Sequence, residues 1–382
     1  MLALICAGVV ATIVLVTMPV FVAGIVSSIG LGDKAVGWLA SADMAGGAIA
    51  CILVLPIIAG LKWHRVARIA IVCAVAGNLL SVLADSLATM MLIRVLTGFA
   101  NGLLLAMVFV GLCHSCHPDR YFGIYVFAQL TLQVVLLAIF PGLISSFGMT
   151  GIFLFLAGAS AMSMLLVSRF PETIRHRSTE VPLTTAITGK RITLPGGWAV
   201  VALLAQALYF LAPAAIWGYL EPIGGAFALD IGQVGHALSV ASIAGIAGAA
   251  AVVVLGTRFD RLRSMGVGVL ISLGGVPIWL YGTGFGWYLV AAILFSFAWN
   301  FTFPYQMGVL ARFDQSGDVA LTSLIVQLGG LAFGPMLASF LVTADGYNGI
   351  LWASTVCYVA SLFMFAAANH RSPNVEVVIG AD

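Results

Sequence analysis

The chain has 382 residues, of which 62% are hydrophobic and only 8% charged. Soluble domains carry about 25% charged residues, so a soluble fold of this size could not cover its surface, and the implied solvent is lipid. The net charge of +2, without a basic block, argues against a nucleic-acid partner, and the lack of a Gly-x-x-x-x-Gly-Lys-Ser/Thr string argues against ATP-driven transport.

Apolar runs of about 20 residues recur along the chain, the length that crosses about 30 Å of hydrocarbon at 1.5 Å per residue. The first starts at Met1 with no charged n-region and no small-residue cleavage site, and reads as a retained helix rather than a signal peptide. Twelve spans are predicted, at 3–28, 35–60, 66–86, 89–113, 121–145, 149–168, 197–220, 232–256, 264–283, 287–311, 319–343 and 347–369. The connections are short except for a polar, Ser- and Thr-containing linker at 170–195. It separates a six-helix N-terminal bundle, 1–169, from a six-helix C-terminal bundle, 196–370, and a short tail follows at 371–382. The predicted class is an all-α polytopic membrane protein.

The two bundles repeat one another. Val36-Gly37 matches Val234-Gly235, Ser41 matches Ser239 and Gly47 matches Gly245. Asn101 pairs with Asn300, Gln129 with Gln327, and Gly148-x-x-Gly151-Ile152 with Gly346-x-x-Gly349-Ile350 at nearly the same offset. Several matches at one shared offset indicate a duplicated half.

Charge sets the orientation. Of the basic residues, 14 fall on one side of the twelve-span layout, Lys34 falls on the other, and Arg94 lies within a span. That asymmetry predicts cytoplasmic termini and a cytoplasmic central linker in an inner or plasma membrane. Trp38, Trp198 and Trp287 sit near span ends, as interfacial anchors do.

Intramembrane charge is expensive and usually paired. Asp43 on span two and Arg94 on span four both lie roughly 10 Å below the outer surface, on spans that run in the same direction. They read either as a proton-exchanging carboxylate tuned by an arginine or as a static pair that fixes packing. Glu221, at the outer end of span seven, is a second proton or cation site or simply a solvated end-of-span acid.

Uncharged polar residues form stripes at helical spacing. Span five offers Tyr125, Gln129 and Gln133, and span four offers Asn101. Span seven offers Gln206, Tyr209 and Trp217; span ten offers Trp299, Asn300 and Gln306; span eleven offers Ser323 and Gln327. These faces should look inward, either around a midplane cavity that binds a small organic solute or as hydrogen-bonding glue between helices.

The six cysteines lie mostly inside apolar runs and read as small buried side chains. Cys113-His114-Ser115-Cys116-His117 fits a haem-attachment pattern, but charge places it on the cytoplasmic side, and ligands on one helix end do not easily close a tetrahedron. No metal or other cofactor is expected.

Both halves carry a short basic turn, Gly60-Leu-Lys-Trp-His64-Arg65 after span two and Gly256-Thr-Arg-Phe-Asp260-Arg261-Leu-Arg263 after span eight. Span four adds Arg94-x-x-x-Gly98-x-x-x-Gly102, and Phe170-Pro171-Glu172-Thr173 follows span six. With two six-helix halves and a basic linker, these motifs resemble the major facilitator superfamily over nearly the whole chain. The resemblance implies that Arg94 lies near coupling carboxylates. It also implies that Asp260 and Arg261, with Gly256, lock the cytoplasmic helix ends when the transporter faces outward. His64 replaces the motif aspartate beside Arg65, as a group that titrates near neutrality or as a plain loop histidine. Span five lacks the Gly-x-x-x-Gly-Pro string of the family's drug/proton antiporters; a similar string, Gly330 to Pro335, lies on span eleven.

The expectation is a monomeric secondary transporter, not an enzyme, that moves a small organic solute across the bilayer by alternating access. It is driven by protons through Asp43 and Arg94, with efflux by antiport slightly favoured. Proton symport for uptake and uncoupled facilitated diffusion are the alternatives within the class. A non-transporting membrane sensor is the remote one, disfavoured by the short tail.

Overall fold

The computed structural model describes residues 1–371 except 56, 114, 116, 171–196, 257, 314–317 and 345. The predicted linker, most of the tail and part of the Cys113–His117 stretch therefore lie outside the described residues. The first crossing is built from α1 (Leu2–Ala11) and α2 (Ile13–Ile29). The second to fourth are α3 (Lys34–Val54), α4 (Trp63–Ser81) and α5 (Leu87–Cys113). α6 (Pro118–Ser163) carries the fifth and sixth. The seventh to twelfth are α7 (Gly197–Ala226), α8 (Ile231–Leu255), α9 (Arg261–Tyr281), α10 (Gly284–Leu310), α11 (Asp318–Ser339) and α12 (Asn348–His370).

Eleven described helical stretches are long and apolar enough to cross a bilayer, and one of them, Arg120–Arg169, has 50 residues. If straight it would reach about 75 Å, far more than one crossing. Gly148 interrupts it with φ 64 and ψ −169, so two crossings are joined there and the layout has twelve. Local signals set other boundaries. The Thr12 hydroxyl donates to the Val9 carbonyl at 3.0 Å, at the break between α1 and α2. Asp230 and Gln233 form a reciprocal capping box at the start of α8.

The halves meet through α3 against α11, the fifth span against α8, and α2 against α7. Towards the end away from the basic loops, one buried cluster runs through both halves and includes Phe21, Leu39, Phe140, Trp217 and Leu238. At the basic end the core divides in two. One cluster belongs to the N-terminal half around Trp63 and Leu104, and the other to the C-terminal half around Met265 and Tyr305. Among described residues, only Leu324 and Leu328 of α11 cross over to the N-terminal cluster.

The closed end shows the duplication directly. A Cβ at Gly37 would collide with the Pro335 carbonyl of α11. A Cβ at its repeat partner Gly235 would lie 2.5 Å from Pro141 Cγ and 2.6 Å from the Leu137 carbonyl of the fifth span. Each half thus presents a glycine to a proline-bearing helix of the other, and the lost side chain lets the backbones touch.

Candidate functional site

Asp43 and Arg94 are brought together by glycine packing. α3 and α5 run side by side, and a Cβ at Gly98, one turn beyond Arg94, would collide with the Asp43 carbonyl. The backbones are therefore close enough for the side chains to meet. Arg94 Nε donates to Asp43 Oδ2 at 2.7 Å. Arg94 Nη1 donates to Asn78 Oδ1 at 3.0 Å and, more weakly, to Ser81 Oγ at 3.5 Å on α4. The guanidinium carbon lies 5.2 Å from the centroid of the Phe21 ring on α2. Arg94 is 1% exposed and Asp43 4%. Three other spans converge on this buried cation, whose Nη2 has no hydrogen-bond partner among the described residues. This is the single ion pair among the described residues. Asn78, Ser81 and Phe21 were not anticipated from sequence. The signal was present for two of them: Asn78 and Ser81 lie three residues apart on one face of an apolar span, where polar groups need partners.

A second feature lies between the halves. A cavity of about 170 Å³ is walled by Leu15 and Val16 of the first span and by Gln129, Leu130 and Gln133 of the fifth. The C-terminal half supplies Trp217, Ser242, Phe295, Ser296, Trp299, Asn300 and Leu331. Trp217 stacks on Phe295 with centroids 6.5 Å apart, and Trp299 meets both rings edge-on. Trp217 Nε1 donates across the halves to the Leu15 carbonyl at 3.0 Å, which fixes the indole in the wall. No charged side chain lines this cavity. Its chemistry is amide and hydroxyl hydrogen bonding beside flat aromatic faces.

Other candidates sit elsewhere. Asn101 is half-buried on α5, outside this wall. Tyr125 is buried in the N-terminal core against Phe109, and Tyr209 packs against Phe210 and Tyr358 in the C-terminal half. Gln327 donates to Ser323 Oγ at 3.2 Å and to the Met307 thioether at 3.6 Å, and Gln206 donates to the same sulfur at 3.5 Å. Gln306 is fully buried, and neither of its amide atoms has a partner among the described residues. The stripes therefore divide: part faces the cavity, and part makes a polar cluster inside the C-terminal bundle.

At the closed end, Tyr219 accepts a hydrogen bond from the Gly37 amide at 3.1 Å, and Tyr347 donates to Asp33 Oδ2. Both bonds join the two halves. Burial, and then the hydrogen bond to Asp33, raise the proton affinity of the Tyr347 phenol above its ordinary value. Glu221 lines a recess of about 630 Å³ here with Asp33 and Tyr347, away from the central cavity. At the basic end Asp260 caps α9, accepting from the Leu262 and Arg263 amides at 3.1 and 3.2 Å. Arg261 donates to the Gly308 carbonyl of α10 at 2.7 Å, within its own half. Gly256 ends α8 with φ 53. His64 and Arg65 open α4, half-buried and exposed. Among described residues, no ion pair links the halves at this end.

The fold and these motifs have known counterparts. The sequence profile described as Major Facilitator Superfamily matches residues 1–313. Among solved structures, a D-xylose–proton symporter aligns with TM-score 0.76 at 14% identity, over 95% of this chain and 96% of its own. The nucleoside transporter NupG aligns with TM-score 0.69 at 13% identity, over 96% of this chain and 97% of its own. A bacterial homologue of the human lysosomal transporter Spinster, inward-facing and unoccupied, aligns with TM-score 0.71 at 14% identity, over 97% and 96%. No curated protein matches the sequence. The profile covers most of the chain, and the structural likeness extends to both halves: the chain belongs to the major facilitator superfamily of membrane transporters.

Proposed function

We propose that the protein is a proton-coupled secondary transporter for a small, uncharged organic solute with a flat face and several hydrogen-bonding groups. The observation that carries this reading is the pairing of two unlike sites. An uncharged cavity of amides and stacked indoles lies between the halves, and a buried carboxylate–arginine pair lies inside one half. Solute recognition falls to the first, with Gln129, Gln133 and Asn300 as hydrogen-bonding groups and Trp217 and Trp299 as stacking faces. Proton exchange falls to the second. The low-dielectric surroundings and the guanidinium act on the Asp43 proton affinity with opposite sign, so a small movement of α3 against α5 changes it. Asp43 shares α3 with Gly37, which abuts α11 at the closed end. Opening that end and loosening the ion pair are thereby linked, and a difference in proton affinity between two states is what drives coupling.

The divided core at the basic end and the joined core at the other correspond to a state open towards the basic loops. The charge asymmetry assigns that side to the cytoplasm. Solved relatives described as carriers of a nucleoside and of D-xylose with a proton are consistent with the solute class.

The test starts from binding. Purified protein is screened for ligand-induced thermal stabilisation against nucleosides, sugars, amino acids and aromatic amines, because a ligand of the native state raises its stability. A hit is then followed in proteoliposomes with an imposed pH gradient. Gradient-driven accumulation or extrusion is expected, and its sign gives symport or antiport. Equal uptake with and without the gradient would leave facilitated diffusion in its place.

A further inference from the structure

A third cavity, of about 430 Å³, opens within the N-terminal half at the end away from the basic loops. Asp85 and Thr150 lie exposed in its wall, Ala84 and the buried Met90 and Phe153 continue it, and Ser81 also lines it. Ser81 is the residue whose hydroxyl accepts from Arg94 Nη1 at 3.5 Å. Phe153 meets Phe21 edge-on at 6.0 Å, and Phe21 is the ring beside the Arg94 guanidinium. The cavity thus comes within one side chain of the ion pair. It does so through α2, α4, α5 and the sixth span, all of the N-terminal half. A second observation points the same way. Arg94 Nη2 is a buried charged donor with no partner among the described residues, and such a group calls for water.

Resting on the proton-coupled reading above, we infer that this cavity is a lateral water path that lets Asp43 exchange its proton with the outer compartment while the gate between the halves stays shut. Inward, a hydrated proton enters past Asp85 and Ser81. A water bound by Arg94 Nη2 passes it to the Asp43 carboxylate, which becomes a neutral carboxylic acid and releases Arg94 from the ion pair. Outward, the acid returns the proton to the same water, and the pair re-forms. No bond other than O–H is made or broken, and the proton alone crosses. Arg94 is the charged group facing Asp43; α4 presents Asn78 and Ser81, and α2 presents Phe21. Asp85 is the acid at the mouth.

Two measurements test this with protons and a thiol reagent as probes. In a background without native cysteines, Ser81→Cys in right-side-out vesicles should react with a membrane-impermeant sulfonated methanethiosulfonate added outside. Thr150→Trp or Ala84→Trp, which fill the cavity, should slow that reaction. No reaction, or reaction only in inverted vesicles, overturns the path. Separately, the infrared carbonyl band of protonated Asp43, assigned by its loss in Asp43→Asn, should follow an external pH jump. Either tryptophan should slow its rise by roughly tenfold or more, about 1.4 kcal/mol in barrier. A band that follows the external jump equally fast in both plugged variants overturns the path and leaves coupling intact. An Asp43 band that responds to no pH on either side overturns the coupling role of Asp43, and with it the path as a proton route. The thiol result still decides on its own whether the cavity admits water.

Discussion

α5 and α10 occupy repeat-related places in the two halves, yet they carry opposite chemistry. Seven residues before the paired Asn101 and Asn300 stand Arg94 and Ile293; one residue before them stand Ala100 and Trp299. Two residues after the paired Ser41 and Ser239 stand Asp43 and Ala241. The N-terminal half has the ion pair and no indole at these positions. The C-terminal half has the indole and small or branched apolar residues where the ions would be. The close helix packing is shared, because it depends on glycines that both halves retain at Gly37 and Gly235. A duplicated scaffold has thus kept the ion pair in one half and the indoles in the other. A buried charge needs its counter-ion and hydrogen bonds in fixed places, whereas a solute site needs faces that can part as the halves move.

Removing the cation from the charged half should have the largest effect. Arg94→Ala strands the Asp43 carboxylate, and about 3–5 kcal/mol of stability should be lost, seen as a lower unfolding temperature in detergent. The double variant Asp43→Asn with Arg94→Met should recover most of it. If the single variant is as stable as the parent, the pair is not holding the half together. Next in size is Asp43→Asn, which keeps the volume and removes the titrating group. Gradient-driven transport should fall by roughly tenfold or more while solute binding persists. Unchanged accumulation against the gradient would make the pair structural and remove this contrast between the halves.

On the recognition side, Trp299→Ala removes a face that packs edge-on against Phe295 and Trp217. Affinity for the solute identified by thermal shift should weaken by about 1–2 kcal/mol, with Gln129→Ala somewhat milder. Wild-type affinity in both would move recognition away from this cavity. The smallest effect is expected at the closed end. Tyr347→Phe removes one hydroxyl and its bond to Asp33, a change of about 1 kcal/mol in favour of opening that end. A cysteine at Val36 should then react a few-fold faster with an impermeant reagent, and no change in rate would show that this bond does not help close the gate.

Much of this architecture was legible in the sequence. The span lengths, the internal offset and the Arg94, Gly98, Gly102 motif are local regularities imposed by bilayer thickness and helix geometry. Depth counting alone placed Asp43 and Arg94 at one level. The polar stripes fit either a cavity wall or hydrogen-bonding glue between helices, and helical spacing does not divide them. Spacing of four residues puts Gln129 and Gln133 on one face of a helix but does not say which neighbour that face meets. Tyr125 faces its own bundle, and Gln206 and Gln327 meet at the Met307 thioether inside the C-terminal bundle.

A lipid-embedded, duplicated helical chain with its basic residues gathered in one set of loops is legible without the fold, because hydropathy and periodicity are properties of each helix taken alone. Packing between helices sets which partners satisfy Arg94, which face of each span lines the cavity, and which end is closed. Those depend on how glycine contacts set one helix against another, over separations such as that from Gly37 to Pro335. Across such distances the pairing energy resides in packed surfaces rather than in any local pattern.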